Sequence, residues 1–254
     1  MARTLWIGTS WKMTKTLEEA RAFARALAET AVAPGVRPFV LPAHTSLAAV
    51  RDCLPEGSPV MLGAQNAHWA PEGAGTGEIS MRMAADAGAR LVEMGHSERR
   101  QQFGETDEAV SRKARAAVDA SLVPLICVGE PADVRQSGDA EEFVTAQVQA
   151  ALSALVPDEV AGTIVAYEPI WAIGEAGRPA APEEVSPVLL AVRRELNRSS
   201  DGRGPLALLY GGSVSTDNAG PLLDGTPTDG LFIGRAAWDV AGFVTFLDIA
   251  AEHV

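Results

Sequence analysis

Eight short apolar segments recur along the chain, separated by longer stretches that are richer in polar residues. Most are nearly continuous hydrophobic runs rather than strict alternations of apolar and polar positions. Such runs are typical of strands that are buried on both faces of a parallel sheet. The predicted strands are Leu5–Gly8, Pro38–Leu41, Val60–Ala64, Leu91–Met94, Leu122–Val128, Thr163–Tyr167, Leu206–Tyr210 and Leu231–Ile233.

The stretches between these segments carry helical patterns. Thr16 and Glu19 have the spacing of a capping box, which predicts a helix from there to about Thr30. Shorter helices are expected after the second, third and seventh strands, and residues 71–79 form a Gly-rich segment that predicts a projecting loop. The remaining predicted helices cover residues 106–120, 139–155, 183–198 and 237–252.

The repeated order of strand and helix points to one fold class. Eight strand–helix units predict parallel pairing with right-handed crossovers, and such units can close into a single (β/α)8 barrel. An open doubly wound sheet is the alternative, but its usual G-x-G-x-x-G after the first strand is absent. Because no linker or composition shift divides the chain, we expect one α/β barrel domain over residues 1–254.

Charge and composition narrow the range of partners. A net charge of −12 argues against nucleic acid and anionic membranes as partners. No apolar run reaches the roughly 18 residues of a membrane span, and the beginning of the sequence lacks a signal-peptide pattern, so we expect a cytoplasmic protein. Cys53 and Cys127 lack metal or redox spacing, and Cys127 is expected to be a buried, reduced thiol.

Polar side chains and glycines follow several of the predicted strands. In parallel α/β barrels, functional groups lie where strands end and loops begin, so these residues are expected at one rim. They include Ser10, Lys12, His96, Glu98, Arg99, Glu130, Glu168, Ser213, Gly234 and Arg235. Gly-rich turns such as Gly211–Gly212 let backbone N–H groups approach an anion. The rim therefore predicts a phosphate pocket beside an acid–base pair.

Each of these residues has an ordinary structural interpretation when it is taken alone. Lys12 could be a solvated surface charge, His96 a helix cap and Glu168 an ordinary loop acid. The Gly211–Gly212 pair could be no more than a tight turn. Only their predicted convergence on one rim favours a functional interpretation.

Six segments, spread in order over nearly the whole chain, form a more specific pattern. They are Trp11–Met13, Gly63–Asn66, Gly95–Arg100, Cys127–Glu130, Ala166–Gly174 and Tyr210–Val214. Taken together they resemble the triosephosphate isomerase family. The resemblance implies an isomerase of small phosphorylated sugars that needs neither a cofactor nor a metal ion.

The resemblance also implies roles for single residues. Glu168 would remove a proton from the carbon beside the carbonyl group, which produces an enediolate. His96 would polarise the oxygen atoms and shuttle protons between them, as a neutral imidazole at a helix start; this family is the standard example of that logic. Lys12 would stabilise the negative charge and attract the substrate.

Other residues would bind or support. Backbone amides around Gly174, Ser213 and Gly234 would hold the phosphate group, beside Arg235, and Ser10 would contact the substrate. Glu98 and Glu130 are expected to support the site. The segment 169–180 resembles the family's mobile lid, which excludes water. The loop with Thr76 and Glu78 resembles the family's dimer loop, which docks near the partner's equivalent of Arg99, so a homodimer is implied.

Four departures from the family pattern bear on the substrate. Ser10 replaces the usual asparagine, Gly75 replaces an aromatic residue, and Arg235 replaces a glycine. The lid tip at residues 174–179 also differs, and the count from Glu168 to Pro182 gives one extra residue. These features resemble a branch described as erythrulose phosphate isomerases. Such enzymes act on a four-carbon ketose phosphate, converting L-erythrulose 1-phosphate to D-erythrulose 4-phosphate. Its extra hydroxymethyl group could fit beside the smaller Ser10.

Three alternatives stay open at this point. The first is an ordinary triosephosphate isomerase, which interconverts dihydroxyacetone phosphate and D-glyceraldehyde 3-phosphate. The second is a barrel without catalysis that only binds a phosphorylated ligand, against which Lys12, His96 and Glu168 argue. The third, a metal-dependent aldolase, would need clustered ligands, and His44, His68 and His253 show no such spacing.

Overall fold

The computed structural model describes residues 3–174 and 177–254, so Glu175 and Ala176 of the predicted lid lie outside the described residues. Within them, eight strands pair in parallel and in chain order, and the eighth closes on the first. The strands are β1 (Leu5–Ser10), β2 (Val36–Leu41), β3 (Met61–Ala64), β4 (Leu91–Met94), β5 (Val123–Val128), β6 (Ile164–Tyr167), β7 (Ala207–Tyr210) and β8 (Gly230–Ile233). The predicted (β/α)8 barrel is confirmed.

Helices follow the strands and cover the outside of the barrel. The capping box predicted at Thr16 is present: its hydroxyl accepts the Glu19 backbone N–H, and the Glu19 carboxylate accepts the Thr16 N–H. The helices are α1 (Leu17–Ala28), α2 (Leu47–Arg51), α3 (Met81–Asp86), α4 (Ser97–Phe103), α5 (Asp107–Asp119), α6 (Ala132–Ser137), α7 (Ala140–Leu152), α8 (Pro157–Val160), α9 (Pro182–Ser199), α10 (Thr216–Gly225) and α11 (Val240–Ala251).

The apolar residues form two layers because successive strand residues point to opposite sides of the sheet. The outer layer packs the strands against the helices. The inner layer fills the barrel with residues such as Trp6, Phe39, Leu91 and Leu125. Gly8 is needed inside this layer, because a Cβ atom there would lie only 1.9 Å from the Phe39 ring.

The boundaries differ from the sequence prediction in ways that have physical causes. β1 extends two residues beyond Gly8, so Ser10 belongs to the strand itself. α11 begins at Val240 rather than 237, because Asp239 accepts the Gly242 N–H and caps it there. Residues 71–78 are exposed and carry no helix or strand, as predicted for the projecting loop.

Candidate active site

The inner layer becomes polar at the carboxyl ends of the strands. Each polar residue there lies two positions after an inward-facing one: Ser10 after Gly8, Glu93 after Leu91, and Glu168 after Ala166. Cys127, after Leu125, completes the group, and its thiol is buried as predicted. The barrel therefore ends in buried groups that can accept, donate or hold protons.

The Lys12 ammonium group is placed at this rim by an unusual backbone. Lys12 has φ +52°, in the left-handed region that non-glycine residues rarely adopt. The Gln65 side-chain amide holds this turn by donating to the carbonyl oxygens of Lys12, at 3.0 Å, and Leu41, at 2.9 Å. Strain that the surroundings maintain in this way is typical of functional sites. The Lys12 Nζ donates to Glu98 Oε1 at 2.7 Å.

His96 lies at the N-terminal cap of α4, after the left-handed Gly95. Its Nδ1 accepts the Glu98 backbone N–H at 3.1 Å, so the ring proton of the neutral imidazole is on Nε2. Burial, followed by the nearby charge of Lys12, lowers the pKa of His96 to about 4. The ring is therefore neutral, and its Nε2 lies 3.5 Å from Glu168 Oε2.

Glu168 follows β6 and is almost completely buried. Burial, with a further contribution from the charge of Glu93, raises the pKa of Glu168 to about 8. Its Oε2 has no hydrogen-bond partner among the described residues. The carboxylate is packed against glycine, since a Cβ atom on Gly211 would lie 2.7 Å from its Cγ. The ionised form of such a group is a strong general base, and a pKa of about 8 means that the ionised fraction increases as the pH rises towards 8.

Two adjoining cavities open at this rim. The smaller, about 50 Å³, is lined by Glu168 and by Gly211, Gly212 and Gly234. The larger, about 690 Å³, is lined by Glu93, Glu98 and Arg99 among others. Ser10, Lys12 and His96 line both cavities and so mark where they meet. The glycine side can accept an anion, and the imidazole and carboxylate lie beside it.

Several predicted residues lie near this centre without lining either cavity. Gly174 is exposed, and Ser213 follows Gly212 in the loop before α10, where its carbonyl accepts from Asn218. Arg235 is exposed at the start of a short 3-10 helix. Glu130 is buried and accepts hydrogen bonds from Tyr167, at 3.1 Å, and Trp171, at 2.7 Å, at the base of the predicted lid. Their predicted roles remain predictions.

The predicted dimer residues lie on the same side of the molecule. Thr76 and Glu78 are exposed in the projecting loop, and Glu78 and Arg99 both line the larger cavity. Arg99 Nε lies 3.6 Å from the buried carboxylate of Glu105. This carboxylate also accepts from Lys113 and from the Gly95 backbone, which links Arg99 to the turn before His96.

Sequence reasoning did not single out Glu93 or Gln65 as site residues. Glu93 was placed inside a predicted strand, and the signal that could have identified it is a charge at an inward-facing position near the strand end. Burial raises the pKa of Glu93 to about 7. Gln65 occurs in one of the characteristic segments, but its contact with Lys12 spans 53 residues of sequence.

Within residues 3–174 and 177–254, no group of three or more His, Cys, Asp or Glu side chains is arranged to hold a metal ion. No helix in these same ranges combines the length and apolar character that a bilayer crossing requires.

The chain is similar to known proteins of one family. A family model described as triosephosphate isomerase matches residues 5–250. The chain is 51% identical to the L-erythrulose-1-phosphate isomerase of Mycolicibacterium smegmatis, covering 99% of this chain and 95% of that protein. Proteins with the same name from Rhizobium rhizogenes and Brucella abortus are each 46% identical, over 97% and 98% of this chain and 94% and 97% of their own.

Proposed function

The chain belongs to the triosephosphate isomerase family, and we propose that it is an isomerase that converts L-erythrulose 1-phosphate to D-erythrulose 4-phosphate. One observation carries the chemistry: beside a glycine-lined cavity, Nε2 of a neutral imidazole lies 3.5 Å from Glu168 Oε2, a buried oxygen with no hydrogen-bond partner among the described residues. The identity to relatives named for this substrate supports the choice of a four-carbon sugar.

The reaction moves one carbonyl group between neighbouring carbons and needs only proton transfers. Glu168 takes the proton from C3, the electron pair forms the C2–C3 double bond, and negative charge develops on the C2 oxygen. His96 Nε2 donates to this oxygen and then recovers a proton from the C3 hydroxyl, while Glu168 returns its proton to C2. Lys12 opposes the developing charge. Atoms and electrons balance without an external oxidant or reductant.

The raised pKa of Glu168 suits this role. A carboxylate in water is a weak base towards carbon acids, and burial makes its ionised form more basic. The lowered pKa of His96 keeps the ring uncharged, so that Nε2–H donates as the weakly acidic proton of a neutral imidazole. Both pKa shifts are caused chiefly by burial at the carboxyl ends of the strands.

The space around Ser10 supports the larger substrate. Relative to dihydroxyacetone phosphate, L-erythrulose 1-phosphate carries a hydroxymethyl group in place of one hydrogen at the reacting carbon. With the phosphate on the Gly211, Gly212 and Gly234 side, that carbon lies towards Ser10 and the larger cavity. A serine leaves more volume there than the family's usual asparagine.

Steady-state kinetics on one preparation tests the proposal. We expect a higher kcat/KM for L-erythrulose 1-phosphate than for D-glyceraldehyde 3-phosphate, and activity that survives a chelator. A clear preference for glyceraldehyde 3-phosphate would instead assign the protein to the ordinary three-carbon reaction. Absence of activity on both substrates, in a folded protein, would favour a barrel that only binds ligands.

A cytoplasmic homodimer belongs to the same proposal. Met13, next to Lys12, is 98% exposed, and Phe103 is 68% exposed on the same cavity as Arg99. Large apolar side chains clustered beside an exposed loop are typical of a protein–protein interface. A second copy that inserts its loop with Thr76 and Glu78 would cover both side chains.

A further inference from the structure

Glu93 is a buried carboxyl group that the proposed proton transfers do not use. It lies in β4, two positions after Leu91 and therefore on the inner face of the barrel. Only 3% of the residue is exposed. Burying an acid in an apolar barrel costs free energy, so the presence of Glu93 at this position calls for a physical reason.

The contacts of Glu93 leave hydrogen-bonding capacity unused. Ser10 Oγ donates to Glu93 Oε2 at 3.0 Å, and Cys127 Sγ lies 3.9 Å from Oε1. A thiol is a weak donor, and each carboxylate oxygen can accept more than one hydrogen bond. Oε1 is therefore able to receive a hydroxyl group of a bound molecule.

The position of Glu93 relative to the anion cradle defines which part of a substrate it meets. Gly211, Gly212 and Gly234 line only the smaller cavity, and Glu93 lines only the larger one. His96 lies between, on both cavities. A sugar phosphate whose phosphate occupies the glycine side and whose reacting carbons lie at His96 therefore directs its far end towards Ser10 and Glu93.

We propose that Glu93 is a specificity-determining residue that binds the terminal hydroxyl of the hydroxymethyl group at the reacting carbon, with Ser10 beside it. This inference rests on the proposed four-carbon substrate and names the group that selects it. A three-carbon substrate has a hydrogen atom in place of the hydroxymethyl group, so it leaves this polar end unmatched. Sites built to hydrogen-bond a substrate hydroxyl discriminate strongly against analogues that lack it.

The raised pKa of Glu93 is compatible with this role. A carboxyl group with a pKa of about 7 is present in both protonation states near neutrality. It can therefore accept from the hydroxyl when ionised and donate to it when protonated. The amide of glutamine can also do both, whereas methionine has a similar length and offers only a weak acceptor.

The test compares Glu93→Met and Glu93→Gln with the wild type on both substrates. We expect Glu93→Met to lower the ratio of kcat/KM for L-erythrulose 1-phosphate to that for D-glyceraldehyde 3-phosphate by about 10- to 100-fold, the usual effect of removing one partner of a charged hydrogen bond. Glu93→Gln should retain most of the ratio. As a matched control, Glu195→Gln removes a buried carboxylate from α9 in the outer layer and should leave the ratio unchanged.

The outcomes separate this inference from the proposed function. If Glu93→Met is folded, by its thermal melt, and both activities fall by the same factor, Glu93 has a structural role and the inference is wrong. If Glu93→Met does not fold, Glu93→Leu takes its place: a ratio that falls at least about 10-fold supports the inference, and an unchanged ratio contradicts it. A wild type without activity on the four-carbon substrate overturns the proposed function itself.

Discussion

The burial of Glu93 has a consequence for stability that can be measured without any substrate. Burial disfavours the charged form of Glu93 and raises its pKa from the ordinary value of 4.5 to about 7 in the folded protein. Between these values the folded state binds more protons than the unfolded chain. The free energy of unfolding contributed by Glu93 is therefore highest below pH 4.5 and decreases as the pH rises to 7.

The magnitude follows from the size of the shift. Each pKa unit corresponds to about 1.4 kcal/mol, so ionising Glu93 in place lowers the free energy of unfolding by about 3 kcal/mol. Glu93→Gln removes this titration and keeps the shape of the side chain. Relative to the wild type, the variant should therefore gain about 3 kcal/mol between pH 4.5 and pH 8.

Urea unfolding at a fixed protein concentration, at several values across this interval, provides the assay. Titrating groups far from Glu93 cancel in the difference between variant and wild type, whereas the loss of the Glu93 charge lowers the pKa of Glu168 and adds to the gain of the variant. Glu184→Gln is the control, because Arg178 holds the pKa of Glu184 near 2, so that group is ionised throughout the interval and its difference should stay constant. A Glu93→Gln difference that is constant within about 0.5 kcal/mol would refute the reasoning.

Two further predictions concern catalysis and assembly. Glu168→Asp should lower kcat/KM about 100-fold, because it withdraws the carboxylate by about 1 Å. The control Glu195→Asp, in α9, should leave kcat/KM unchanged. An unaltered rate in Glu168→Asp would exclude Glu168 as the base. Light scattering at micromolar concentration should give the wild type twice the 26.6 kDa of one chain, and Met13→Asp should shift it towards one chain. A wild type with the mass of one chain would contradict the dimer.

Much of the fold could be predicted because buried strands have a hydrophobic pattern that is visible in the local sequence. All eight strands were located within two residues at each end, since continuous apolar runs mark strands that are covered on both sides. α4, α6 and α8 have only four to seven residues each. This is shorter than the window in which helical periodicity is detectable, so their bounds were not predicted, and for α4 only a helix start at His96 was expected, from the family resemblance.

The site was predictable at the strand ends and less so beyond them. Lys12, His96 and Glu168 converge because parallel strands all end at one rim. The pairing of Lys12 with Glu98, 86 positions apart, depends on the closed barrel and on a left-handed backbone that local sequence does not indicate. Glu93 was missed because the sequence does not show on which face of β4 a charged residue lies until the register of the strand is known.

NMR in D2O, with purified protein and L-erythrulose 1-phosphate, follows the proposed proton transfer itself. A base that exchanges its proton with solvent should place deuterium on the carbon that gains the new C–H bond of D-erythrulose 4-phosphate. We predict that this labelled product accumulates with wild type and about 100-fold more slowly with Glu168→Asp. Unchanged L-erythrulose 1-phosphate, under conditions where the same protein converts D-glyceraldehyde 3-phosphate, would contradict the account.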